Sequence, residues 1–143
     1  MTKLKYFLTC AIALTAIGCS SPPPPATPVT WDGYKVQQNH EKQISLEGYI
    51  RLPAAAMVSD TMLLELRKDT SSKEPNLSFS TRVGSGANQV EKPPKDYSDK
   101  DLKVRANDGS LIEPNQKVRV SGKFIFSPSG GSILFAPIDI QKI

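Results

Sequence analysis

The sequence has 143 residues, of which 38% are hydrophobic and 22% charged, a composition typical of a chain with a single globular domain. Its formal charge of +4 comes from 18 Lys and Arg residues against 14 Asp and Glu residues, too small an excess to indicate nucleic-acid binding. One histidine, His40, and two cysteines cannot supply the ligands of a Cys/His zinc site.

The first segment of the chain has the pattern of an export signal. Lys3 and Lys5 form a short basic region, and an uncharged, mostly apolar run covers residues 6–17. As a helix this run is about 18 Å long, against roughly 30 Å of hydrocarbon in a bilayer. It is too short for a transmembrane anchor, and its removal would take Lys3 and Lys5 with it and lower the formal charge from +4 to +2.

The signal ends in the motif Ala16-Ile17-Gly18-Cys19, which resembles the lipobox of bacterial lipoproteins. The resemblance implies that residues 1–18 are removed and that Cys19 receives acyl chains such as palmitate. Ala16 stands where the family most often has Leu. An ordinary secretory signal, with Cys19 left as a free thiol, is the alternative. Ser20 rather than Asp follows the cysteine, which in enterobacterial lipoproteins implies a place in the cell envelope at the outer membrane, facing the periplasm.

The next segment, residues 19–43, is predicted to be a lipidated tether, and residues 44–143 are predicted to form the folded domain. Five prolines within residues 20–29 favour polyproline geometry, which makes a semi-rigid spacer. Trp31 and Tyr34 are the large apolar groups of the remainder. The sequence does not decide whether they dock on the domain.

The first half of the domain predicts three strands. Residues 44–52 alternate between apolar and polar, with Gly48 marking a bulge or a bend in the middle. Residues 61–68 and 77–83 form the next two strands and a hairpin. The expected inward-facing residues of this hairpin are Met62, Leu64, Leu66, Leu77, Phe79 and Thr81.

The second half begins with an irregular link, residues 84–100, for which both a helix and a loop remain open. A short strand is predicted at residues 101–106, and the most regular strand of the chain around residues 117–126. The last strand covers residues 132–143. Pro137 should lie there at an edge or a bulge, with Ile133 and Phe135 on the apolar side before it and Leu134 facing outward.

These patterns predict an all-β fold, or a β-rich fold with one short helix, built as a small barrel of five to six strands. The order of these elements resembles an OB-fold: a glycine-centred strand at residues 45–50, the hairpin, the long link and the strand at residues 117–123. It is similar to that of small OB-fold lipoproteins described as tRNA-anticodon-domain-like. The resemblance implies a ligand face on the second and third strands. The candidate binding residues are Tyr49, Leu63, Glu65, Arg67, Ser80 and Arg82.

The candidate face favours some ligands over others. It offers two arginines, and no aromatic ring other than Tyr49 and Tyr97 is expected near it, which argues against single-stranded nucleic acid. Three apolar residues lie at predicted outward positions: Leu63, Ile125 and Leu134. Their presence there is explained either by a protein-binding patch or by partial burial under the link.

Other motifs do not predict chemistry. The glycines at 84 and 86 lack the pattern of a phosphate loop, and the aspartates near residue 100 are interleaved with Lys and Arg. We therefore expect no catalytic residue, metal or cofactor. The expected function is that of a non-enzymatic binding or adaptor module, held at the membrane by its lipid and working with an envelope protein. The alternatives are a structural accessory of a larger envelope complex, and an OB domain that binds oligonucleotides or oligosaccharides.

Overall fold

A computed structural model of the chain describes residues 24–54, 59–71, 74–129 and 131–143. The predicted export signal and Cys19 lie outside the described residues. Two short 3₁₀ turns cover Gln37–Asn39 and Asp99–Asp101. The strands are β1 (Thr27–Pro28), β2 (Gln43–Arg51), β3 (Thr61–Arg67), β4 (Asn76–Val83), β5 (Gln89–Val90), β6 (Val118–Ile125) and β7 (Ile133–Lys142).

Five of these strands form a closed barrel in the order β2-β3-β4-β7-β6, and β6 pairs back onto β2. All neighbours are antiparallel except β4 and β7, which run parallel. The two-residue strands β1 and β5 add to the outside, parallel to β2 and β4. The predicted all-β, OB-like small barrel is therefore confirmed as a fold class.

The barrel core comes from the alternation of the β3–β4 hairpin. Each directly opposed pair, such as Leu64 with Phe79, points to the same side of the sheet. The six residues predicted to face inward are all buried, which confirms the predicted register of this hairpin. The core is completed by apolar side chains from the other strands: Ile44, Leu46, Val118, Val120, Phe124, Leu134 and Ile140.

Gly48, which was predicted to mark a bulge or a bend, lies where β2 changes partners. Residues 43–48 pair with β6, whereas residues 49–51 pair with β3. At this crossing a Cβ on Gly48 would lie 2.3 Å from the carbonyl oxygen of Arg67. Only glycine lets the two backbones approach this closely.

The bulge predicted around Pro137 is also present. Ser121 pairs with Asp139 and Lys123 with Phe135, so three residues of β7 stand opposite Gly122 alone. A Cβ on Gly122 would lie 2.8 Å from the carbonyl oxygen of Phe135, so a glycine is needed opposite the bulge.

The predicted facing of β7 before the bulge is wrong. Leu134 is fully buried, whereas Phe135 is 44% exposed. The parallel pairing of Phe79 with Leu134 sets this register, and a one-residue error turns every side chain to the opposite face.

The segment before β2 packs against the barrel, and this packing fixes the positions of Trp31 and Tyr34. Tyr34 is buried, and its hydroxyl donates a 2.9 Å hydrogen bond to the carbonyl oxygen of Asn76. The Trp31 indole donates to the carbonyl oxygen of Glu47 at 2.8 Å. The two rings meet edge to face at 5.5 Å, and Tyr34 meets Phe124 in the same way. Together with β1, these contacts hold residues 27–34 against β2, β4 and β6.

The link between β4 and β6 contains no α-helix; it has β5, one 3₁₀ turn and loops. The strand predicted at residues 101–106 is wrong, because only isolated bridges form there, from Val104 to Val90 and from Arg105 to Leu111. Asn88, in the left-handed region with φ 57°, attaches the link to the barrel. Its amide N–H donates to the carbonyl oxygen of Ala106, and its side-chain oxygen accepts from the amide N–H of Ile140 at 2.8 Å.

Candidate binding groove beside β4

A groove opens in the sheet beside β4, where two of its neighbours separate. The pairing of β4 with β7 ends at Phe79 and Leu134, and its pairing with β5 begins only at Arg82 and Gln89. The bulge carries β7 away between these points. The resulting groove has a volume of about 420 Å³, and its lining includes Ser80, Thr81, Arg82, Asn88, Gln89, Phe135, Pro137 and Ile138.

Two large apolar side chains are exposed on this face. Leu63 lies directly opposite Ser80 in the hairpin, and Phe135 lines the groove together with Ser80. Leu63 is 39% exposed and Phe135 44%. Two exposed apolar side chains, on β3 and β7, thus flank the polar Ser80 of β4 on the outside of the barrel.

Arg82 provides the charge of the groove. It stands opposite Thr61 in the hairpin, and its side chain is exposed. Within the described ranges Arg82 has no ion-pair partner, so its guanidinium is available to a ligand carboxylate. The groove therefore combines an apolar wall with one accessible cation.

The predicted binding residues fall into two groups. Leu63, Ser80 and Arg82 lie at or beside the groove, near the start of β3 and the end of β4. Glu65, Arg67 and Tyr49 lie towards the other end of β3. Arg67 donates to Glu65 from two nitrogens, at 2.6 and 3.0 Å, so its charge is neutralised within the protein. Tyr49 stands opposite Arg67 across β2 and β3.

The sequence analysis missed the residues that β7 contributes. Phe135 was assigned to the core, and it supplies an exposed ring on a face where only Tyr49 and Tyr97 were expected nearby. The signal available was the Pro137 bulge opposite Gly122, which indicates an irregular strand but not which residue faces outward. The predicted outward patch also changes, because Leu134 is buried and Ile125 is half-buried.

The groups with shifted pKa values lie outside the groove and have structural causes. Hydrogen bonds from Arg119 at 2.7 Å and Lys117 at 3.1 Å lower the pKa of Glu47. Hydrogen bonds from Ser98 and from Ser110 lower the pKa values of Asp101 and Asp108, respectively. Burial raises the pKa of the Tyr34 hydroxyl. These shifts follow from turns and ion pairs that stabilise the fold.

Neither a cluster of metal ligands nor a membrane-spanning helix is present in the described part of the chain. No three His, Cys, Asp or Glu side chains there come close enough to hold a metal ion. Nor does that part contain a helix with the length and apolar character needed to cross a membrane. Comparison with known proteins found no family model and no curated protein that matches this sequence.

Proposed function

We propose that the protein is a lipid-anchored lipoprotein of the bacterial cell envelope, and that its OB-like barrel is a non-enzymatic adaptor that binds another envelope protein. The binding site is the groove beside β4. The observation that carries this proposal is the exposure of Leu63 and Phe135 on the same face as the accessible Arg82.

The energetics of this surface favour a protein ligand. Burying a large apolar side chain contributes roughly 1.5–3 kcal/mol, and aromatic and arginine side chains dominate the binding energy of protein interfaces. Phe135 and Leu63 provide the apolar anchors, and Arg82 provides a partner for a carboxylate. The fitting partner segment carries an apolar side chain next to an acidic one. A single exposed ring on this face gives single-stranded nucleic acid too few stacking positions.

The proposed anchor is supported by the sequence around Cys19 and by the position of β1. Because Thr27 is paired with β2, the spacer between the lipidated cysteine and the barrel is reduced to residues 20–26. In polyproline geometry, at about 3.1 Å per residue, these seven residues span roughly 20 Å. The barrel would therefore stay close to the membrane, which suits contact with a membrane-associated partner.

The anchor is tested by the mass of the N-terminal peptide from membrane-bound protein. We expect a peptide that begins at Cys19 and carries several acyl chains, since a single chain gives only marginal membrane binding. The Cys19→Ala variant should leave the membrane fraction or retain its signal. An unmodified, soluble N-terminus in the wild-type protein would contradict the lipoprotein assignment.

The groove is tested by photo-crosslinking in intact cells, with a photoreactive amino acid at Leu63. We expect one discrete adduct with an envelope protein, reduced at least about tenfold by Phe135→Ser and by Arg82→Glu, because these changes remove the anchor and reverse the charge. Lys35 is the matched control position, since it is exposed but does not line the groove. An adduct that survives both substitutions, or one of equal yield from Lys35, would place the partner elsewhere on the barrel.

A further inference from the structure

A second cavity lies between the C-terminal end of β2 and the link, on a part of the molecule that the proposed function does not use. Its volume is about 380 Å³, within the range of small-ligand sites. The link covers this region with loops and a 3₁₀ turn. Apolar side chains form one part of its lining: Ile50, Leu102, Val104 and Ile112.

The guanidinium of Arg51 forms the polar part of the same cavity. Its side chain is only 10% exposed, which is rare for an arginine. Its terminal nitrogens donate to the carbonyl oxygen of Ile50 at 2.9 Å and to the side-chain oxygen of Asn115 at 2.6 Å. Both contacts hold the guanidinium in a fixed orientation at the cavity wall.

Among the described residues Arg51 has an ion pair with one carboxylate, and that contact is long. The nearest carboxylate, Asp99, lies 3.7 Å from the Arg51 Nε, which is too long for a hydrogen bond, and it is 54% exposed. Asp99 also accepts a hydrogen bond from the amide N–H of Leu52 at 3.1 Å. Each terminal nitrogen of Arg51 has a second N–H beyond the bond already described. A buried cation with spare donors favours an anionic group in the cavity.

We propose that this cavity binds a small monocarboxylic acid with an apolar body, whose carboxylate pairs with Arg51. The apolar wall takes the hydrocarbon, and the guanidinium takes the acid. A second carboxylate on the ligand is disfavoured because the carboxylates of Asp99 and Glu113 also line the cavity. Among the lining residues, the positive charges are those of Arg51 and Lys100.

The test uses the full-length protein in nanodiscs and a hexanoate probe that carries a diazirine. We expect label in the peptide that holds residues 102–116, displaced by free hexanoate. Butanoate should compete less well, by about fourfold for each missing CH₂ group that reaches the apolar wall. Hexanol, which keeps the chain but lacks the charge, should compete at least about tenfold more weakly than hexanoate.

Three variants distinguish binding in this cavity from general effects on the protein. Arg51→Gln should weaken competition by hexanoate at least about tenfold and leave hexanol unchanged. Ile112→Trp keeps Arg51 and fills the cavity, so it should abolish labelling while circular dichroism shows a folded barrel. Lys103→Ala should have no effect, because this exposed residue does not line the cavity. Label on the Phe135 peptide, equal competition by hexanol, or full labelling of Ile112→Trp would each overturn the proposal.

Discussion

Gly48→Ala is expected to lower the free energy of unfolding by about 3 kcal/mol or more. The new Cβ would lie 2.3 Å from the carbonyl oxygen of Arg67 and 3.1 Å from the Leu66 side chain. Arg67 is the residue at which β3 pairs with β2, so the carbonyl cannot move without breaking the ladder. Overpacking against backbone costs about 1–3 kcal/mol, and more where the structure cannot relax.

Thermal unfolding of the full-length protein in detergent, followed by circular dichroism, measures this effect. A loss of 3 kcal/mol corresponds to a fall in Tm of roughly 10 °C for a domain of this size. Gly131→Ala is the matched control, because a Cβ there meets nothing within 4 Å, and its Tm should stay within about 2 °C of the wild type. Equal Tm values for the two variants would show that β2 and β3 do not cross at Gly48 as described.

Leu134→Ala is expected to destabilise the protein by about 2–5 kcal/mol. Leu134 is fully buried, and its removal leaves a cavity between β4 and β7 in the core. The change should also loosen the parallel ladder that positions the groove. The measurement is chemical unfolding in urea, with the midpoint and slope compared with those of the wild type.

Phe135→Ser is the neighbouring control and tests the register of β7 directly. Because Phe135 is exposed, its replacement should change the free energy of unfolding by no more than about 0.5 kcal/mol. The same variant is expected to lose binding of the partner. A large loss of stability in Phe135→Ser together with a small one in Leu134→Ala would mean that β7 faces the other way, and would remove Phe135 from the groove.

The bulge in β7 connects the fold to the proposed site. Gly122 allows three residues of β7 to stand opposite one residue of β6, and this displacement separates β7 from β4. The space left beside β4 is the groove, and Phe135 is the last residue before the bulge. Bulges commonly re-aim side chains, and here the bulge leaves Phe135 at the edge of the groove.

Much of the fold could be predicted because it follows from hydrophobic patterns among neighbouring residues. The alternation in β3, β4 and β6 reflects one buried and one more accessible face for each strand, so it fixes both the element type and the inward residues. In β2 the apolar alternation is equally clear, although Ser45 and Arg51 on its other face are also buried. The special positions of Gly48 and Pro137 could also be predicted from the sequence. A glycine, which lacks a side chain, and a proline, which lacks a backbone N–H, are tolerated at few places inside a strand. Of the candidate site, Leu63, Ser80 and Arg82 were expected because the OB-fold resemblance implies a ligand face on this hairpin, and the alternation places them on its outer side.

Several features depended on contacts between residues far apart in the chain. Trp31 and Tyr34 sit in a polar segment without periodicity, and their place follows from bonds to Glu47 and Asn76. The link has weak local preferences, and it is held by Asn88 and by isolated bridges rather than by a helix or strand. Neither set of contacts has a signature within a short window of sequence.

By itself the sequence determined the positions of the five barrel strands and the core of the hairpin, because both are written in neighbouring residues. The export and lipidation signals remain predictions from the sequence. The tertiary structure alone decided which face Phe135 occupies, where the sheet opens and how Arg51 is buried. Before the bulge, Ile133, Leu134 and Phe135 are all apolar, so hydrophobic periodicity cannot choose the register there. Pairing with β4 chooses it, and with it the composition of the groove.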